Sequence, residues 1–140
     1  VISQRERLQL NPFGTCAAAG AVALGLLGLF LGDDISLGMT NSLRGAAAPI
    51  AHLWGAMATI GGLMKLVGLY GGRTTIEVPG LWLMTGAYGF YCATVLIGLG
   101  RSGLVAGILA GAMTIGCLLK VRMIMARARA VPGPRSGGQG

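Results

Sequence analysis

The chain has 140 residues, 54% of them hydrophobic and only 11% charged, with a mean hydropathy of +0.72, which excludes an ordinary soluble domain and points to the membrane class. A net charge of +7 would suggest a nucleic-acid ligand in a soluble protein, but here the basic residues flank apolar segments and membrane topology accounts for them, so no nucleic-acid partner is expected. Four apolar blocks, at residues 14–32, 49–70, 79–99 and 102–122, each approach the ~20 residues needed to cross ~30 Å of hydrocarbon.

Residues 1–13 read as a polar cytoplasmic lead in which Arg5 and Arg7 precede Asn11-Pro12, a turn or helix start. A first residue of Val in place of Met fits a GTG start codon or a trimmed N-terminus, and the richness in Ala, Gly and Arg fits a GC-rich bacterial or phage gene. The first block lacks a cleavage-type boundary and is followed by three more, so it reads as a retained helix rather than a signal peptide. The connection from Asp33 to about Ala48 is the longest and has room for a short interfacial helix. Pro49 can open the second span and Pro79 the third, because the first helical position needs no amide donor. The third and fourth spans are joined by little more than Gly100, Arg101 and Ser102, which forces an antiparallel hairpin. Residues 14–125 thus form the expected four-span bundle, all-α, and residues 126–140 a basic tail whose Pro- and Gly-rich end is expected to be disordered.

Orientation follows from the basic residues. Arg5, Arg7, Lys65, Arg73, Lys120, Arg122, Arg127, Arg129 and Arg135 fall on one side, and only Arg44 and Arg101 on the other, so the positive-inside rule places both termini in the cytoplasm of a bacterial inner membrane. Lys120, Arg122, Arg127 and Arg129 are then placed to meet the headgroups of the anionic inner leaflet. Lys65 lies inside the second block, about one and a half turns from its Tyr70 end. It either snorkels to the cytoplasmic interface or faces an internal cavity that binds an anion or gates a pore; helix rotation decides between them.

Small residues carry the packing, since lipid gives helices no hydrophobic reason to associate. Gly103, Gly107 and Gly111 repeat every four residues on the fourth span, Gly28 and Gly32 form a further GxxxG, and Gly68 and Gly72 another. The faces serve either the bundle itself or self-association, and a homo-oligomer is expected. On the third span Thr85, Tyr88, Tyr91 and Cys92 share one arc, read either as bundle hydrogen bonding or as a weakly polar cavity wall. Trp54, Tyr70 and Trp82 sit at interface depth and read as belt anchors.

Catalytic chemistry is not indicated. His52 stands near a span end without ligand-spaced partners, and Cys16, Cys92 and Cys117 lie in apolar blocks without metal-type spacing. Glu6, Asp33, Asp34 and Glu77 all fall outside the predicted spans, which argues against proton-coupled antiport. No phosphate loop, nucleophile elbow, zinc or haem motif is present, so no enzyme, cofactor or metal site is expected.

With its short polar lead RERLQLNP, its Gly/Ala-rich spans such as GLVAGILAGAMTIG and its basic tail KVRMIMARARAVPGPR, the chain resembles the small multi-span holins and holin-like proteins of actinobacteriophages. The resemblance is architectural and covers the whole chain. It implies a protein that oligomerises and permeabilises the inner membrane without catalysis, here by lateral association through the Gly103, Gly107 and Gly111 face. Two other readings fit the same residues: a small oligomeric transporter or channel, and an accessory subunit packed against other membrane proteins of a conjugation or secretion apparatus.

Overall fold

The computed structural model describes Ser3, Glu6 and residues 10–130, the side chain of Asp33 excepted, and every regular element among the described residues is helical. Arg5, Arg7, Arg135 and the stretch 131–140 lie outside the described residues, and with them most of the expected lead and tail. Helix α1 (Pro12–Leu31) opens on a proline, whose missing N–H falls where no helical acceptor exists. It closes at Gly32, which turns to φ +60°. After a 3₁₀ turn, Ser36 accepts a bond from the Met39 amide at 3.4 Å and caps the short α2 (Leu37–Leu43). Helix α3 spans Ala47–Gly71 with Pro49 in its first turn, and Gly72 ends it in the left-handed region at φ +62°. Helix α4 (Thr74–Leu99) begins five residues before Pro79, so this proline sits inside the helix instead of opening it. A tight turn at Gly100–Gly103 leads to α5 (Leu104–Ala130), which carries the helix beyond the expected end at 122–125.

Three helical stretches are long and apolar enough to cross a membrane: Pro12–Leu31, Leu37–Gly71 and Thr74–Ala130. The sequence led us to expect four separate spans. The count differs because the link between the last two is so short: α4 ends at Gly100, which turns to φ +52°, and the 3₁₀ turn Gly100–Gly103 leads straight into α5, so the two form one uninterrupted run of 57 residues. Straight, that run would measure about 85 Å; instead α5 folds back and packs along α4.

The long helices pack in chain order, α1 on α3, α3 on α4 and α4 on α5. Glycines set each crossing. A β-carbon at Gly55 would stand 2.6 Å from the Gly25 carbonyl, and one at Gly68 would stand 2.6 Å from the Glu77 amide nitrogen. Gly80 admits the backbone of Lys65 in the same way, at 2.7 Å, and Gly103 that of Val95, at 2.6 Å. Such approaches raise dispersion contact between the helices. Hydrogen bonds tie the crossings: Trp54 Nε1 donates to the Ala87 carbonyl at 2.8 Å and the Tyr88 hydroxyl to the Ala17 carbonyl at 2.9 Å. Helix α2 folds over the end of the bundle opposite the α3–α4 turn. There Ser42 donates to the Thr94 carbonyl at 2.6 Å, Asn41 to that of Gly98, and Met39 is fully buried against Ala51, Trp54 and Ala87.

Candidate functional site

At the end of the bundle formed by the start of α1, the close of α3 and the start of α4, a basin of about 130 Å³ with a few polar groups in a mainly apolar lining opens among the helices. Its lining includes Asn11 and Gly14 from α1 and its lead-in, Lys65 from α3, and Cys117 and Lys120 from α5. These are the only two lysines in the chain.

Rotation of α3 decides the Lys65 question. The buried stripe of this helix runs through Ala58, Gly61, Gly62, Lys65 and Gly68, at three- and four-residue steps. Lys65 is therefore directed inward, is only 2% exposed, and does not snorkel to the rim. A β-carbon at Gly14 would lie 3.4 Å from Lys65 Nζ, which puts the ammonium over the first turn of α1. Among the described residues Lys65 makes no hydrogen bond or ion pair.

Its neighbour is differently placed. Lys120 Nζ approaches Glu77 Oε1 at 2.8 Å, and neither atom has a well-aligned hydrogen bond among the described residues. Glu77 is 7% exposed, in the first turn of α4, held there by the close approach of Gly68. Two expectations are corrected here. Glu77 belongs to a membrane-length helix rather than to a loop outside the spans, because α4 starts at Thr74. The second is that Lys120, expected alongside Arg122, Arg127 and Arg129 as a cation free for headgroups, is half-buried and paired with Glu77, whereas the three arginines are exposed.

The electrostatics of the basin are unbalanced. With both lysines charged, two ammonium groups face one carboxylate. The N-terminus of α1 adds to the positive side: Asn11 makes no side-chain cap, and Asn11 and Gly14 line the basin. An unpaired ammonium removed from water costs several kcal/mol, so this is a place where an anion is favoured.

Beside the basin lies a second space. Helices α1 and α5, the two edges of the row, stand apart across an apolar groove of about 600 Å³ with Tyr88 and Tyr91 on its floor and Cys16, Leu24 and Leu109 along its walls. Phe13 and Met113 line both groove and basin, so the two adjoin.

The remaining predicted residues are distributed as follows. Gly107 lies against Leu96 and accepts the Cys92 thiol hydrogen bond on its carbonyl at 3.1 Å, and Gly103 lies against Val95, so both face α4 within the same chain; Gly111 has Cys92 Sγ at van der Waals distance from its β-position. Gly28 faces the Trp54 ring across the α1–α3 crossing, whereas Gly32 provides the turn that ends α1 and faces His52. His52 Nδ1 pairs with the Leu29 carbonyl at 2.9 Å, which requires the proton on Nδ1. Trp54, expected in the interfacial belt, is instead 4% exposed and stacked on Tyr91 at 5.6 Å, because α2 covers that end of the bundle. Among the described residues no three His, Cys, Asp or Glu side chains are grouped to hold a metal ion.

No protein-family model matches the chain, and no curated protein or solved structure matches it either.

Proposed function

We propose that the chain is a four-pass protein of a bacterial inner membrane, with both termini on the cytoplasmic side, that binds an anion in the basin and works as a small oligomeric channel or transporter rather than as an enzyme. The observation that carries this reading is Lys65, only 2% exposed and with no partner among the described residues, lining a cavity of about 130 Å³. Ionisable groups at membrane depth are expensive and are retained where an ion or substrate meets them. The orientation is supported by the distribution of charge: Lys65, Arg73, Lys120, Arg122, Arg127 and Arg129 are at the basin end, and Arg44 and Arg101 at the other.

A holin-like, lesion-forming role is the second reading. The outward side of α5, with Val105, Ile108 and Ile115 exposed, favours it as a surface for lateral association. Gly103 and Gly107, through which that association was first expected, are engaged with α4.

Vesicles of phosphatidylcholine loaded with potassium phosphate separate the two. The proposal expects the protein to release phosphate ahead of potassium, and Lys65→Gln to slow phosphate release by about tenfold or more, a change of roughly 1.4 kcal/mol in the barrier. Equal release of phosphate, potassium and a large dye, indifferent to Lys65, would instead support the lesion reading. Abrupt, delayed depolarisation and death on induced expression in a bacterium would point the same way.

A further inference from the structure

We propose that the anion held by the basin is the phosphate of an anionic phospholipid drawn from the inner leaflet, its head against Lys65 and one acyl chain in the groove between α1 and α5. The inference rests on the basin being an anion site and adds to it the identity of the ligand.

Three observations select a lipid. The first is adjacency: Phe13 and Met113 border both spaces, so a molecule with its head in the basin has the groove as the next apolar space for its tail. The second is charge complementarity. Lys65 is 2% exposed and unpartnered among the described residues, Lys120 is already shared with Glu77, and the basin lacks one negative charge. A free inorganic ion would satisfy this as well, but it would leave the groove unexplained.

The third observation is length and direction. The groove follows α1 from Phe13 to Leu24, about 16 Å of helix rise. That is about half of a ~30 Å hydrocarbon core, the depth of a single leaflet. Its polar end lies where the charge distribution puts the cytoplasm and its apolar end points to mid-membrane, which is how an inner-leaflet lipid is itself arranged. At about 600 Å³, with an almost wholly carbon lining, the groove is in the size range of sites that bury a ligand.

Two substitutions address the two halves separately. Lys65→Gln removes the charge that faces the head. Gly20→Leu places a side chain in the groove, since Gly20 lines it and a β-carbon there meets only the Tyr88 hydroxyl at 3.7 Å, an ordinary contact.

The test is a titration of delipidated full-length protein in neutral detergent, following thermal unfolding and native mass spectra, with phosphatidylglycerol, phosphatidylcholine of the same chains, and inorganic phosphate as probes. The expected result is stabilisation by phosphatidylglycerol well beyond that by the other two. Affinity for it should fall about tenfold or more in each variant, about 1.4 kcal/mol. Inorganic phosphate should still respond to Lys65→Gln and ignore Gly20→Leu. If phosphate and phosphatidylglycerol stabilise equally and Gly20→Leu changes neither, the lipid is wrong and the basin remains an anion site. If Lys65→Gln alters the response to no probe, the anion site itself falls. Dimer or higher masses that replace the lipid-bound species would mean that a second copy fills the groove, which also overturns the proposal.

Discussion

Glu77 and Lys120 form the described residues' one ion pair, and its burial makes the two partners unequal to lose. Glu77→Gln leaves two lysines facing each other without a carboxylate, and we expect it to destabilise the fold by about 3 to 5 kcal/mol, as removal of one buried partner does. Replacing both, as Glu77→Gln with Lys120→Met, should recover most of that loss, and unfolding of the purified proteins in mixed detergent micelles measures both values. The pair was only partly legible in the sequence. Thr74 and Glu77 have the spacing of a helix start, but Pro79 is the stronger signal for a first turn and drew the boundary too late. Lys65 was more readable than it first looked: counting three and four residues from Gly61, Gly62 and Gly68 puts it on the small-residue face, which in a membrane is the packed face. Trp54 was not readable, since nothing local to it announces that α2 folds back over its end of the bundle.

The helices themselves were visible as apolar blocks, whereas their ends and partners depended on backbone conformation and on which glycine face meets which neighbour. Gly55 and Gly116 show the difference. Both lie in long apolar helices, yet a β-carbon at Gly55 would meet backbone at 2.6 Å and one at Gly116 would meet nothing within 4 Å. Gly55→Ala is therefore expected to cost about 2 kcal/mol by forcing α1 and α3 apart, while Gly116→Ala should be neutral or slightly stabilising through helix propensity. Thermal melts of the two variants side by side check this. Gly107→Leu provides a second contrast, because its neighbour is Leu96 on the adjacent helix. It should lower the stability of the single chain and leave cross-linked oligomers in their former proportion; loss of oligomers with stability intact would show that the α5 glycines face another copy.

For the whole molecule, the topology is open to direct labelling. In a background where Cys16, Cys92 and Cys117 are replaced, Gly45→Cys and Ser102→Cys should react with a membrane-impermeant maleimide from the periplasmic side, and Thr74→Cys only after the inner membrane is opened. All three positions are exposed, so accessibility within the protein does not confound the result. The opposite pattern would invert the orientation, and the basin would then open to the outside. The row arrangement of the long helices also bears on synthesis. Each one packs against the one made just before it, with only the short α2 intervening, so every docking step can take place as soon as the newest segment leaves the insertion machinery. Contacts of this local kind keep the entropic cost of ring closure low and favour rapid assembly. Longer joins, such as Tyr88 to Ala17 and Ser42 to Thr94, are added to that local frame, and the seam between the first and last long helices, a join that a nascent chain could attempt only when finished, is closed by no helix among the described residues.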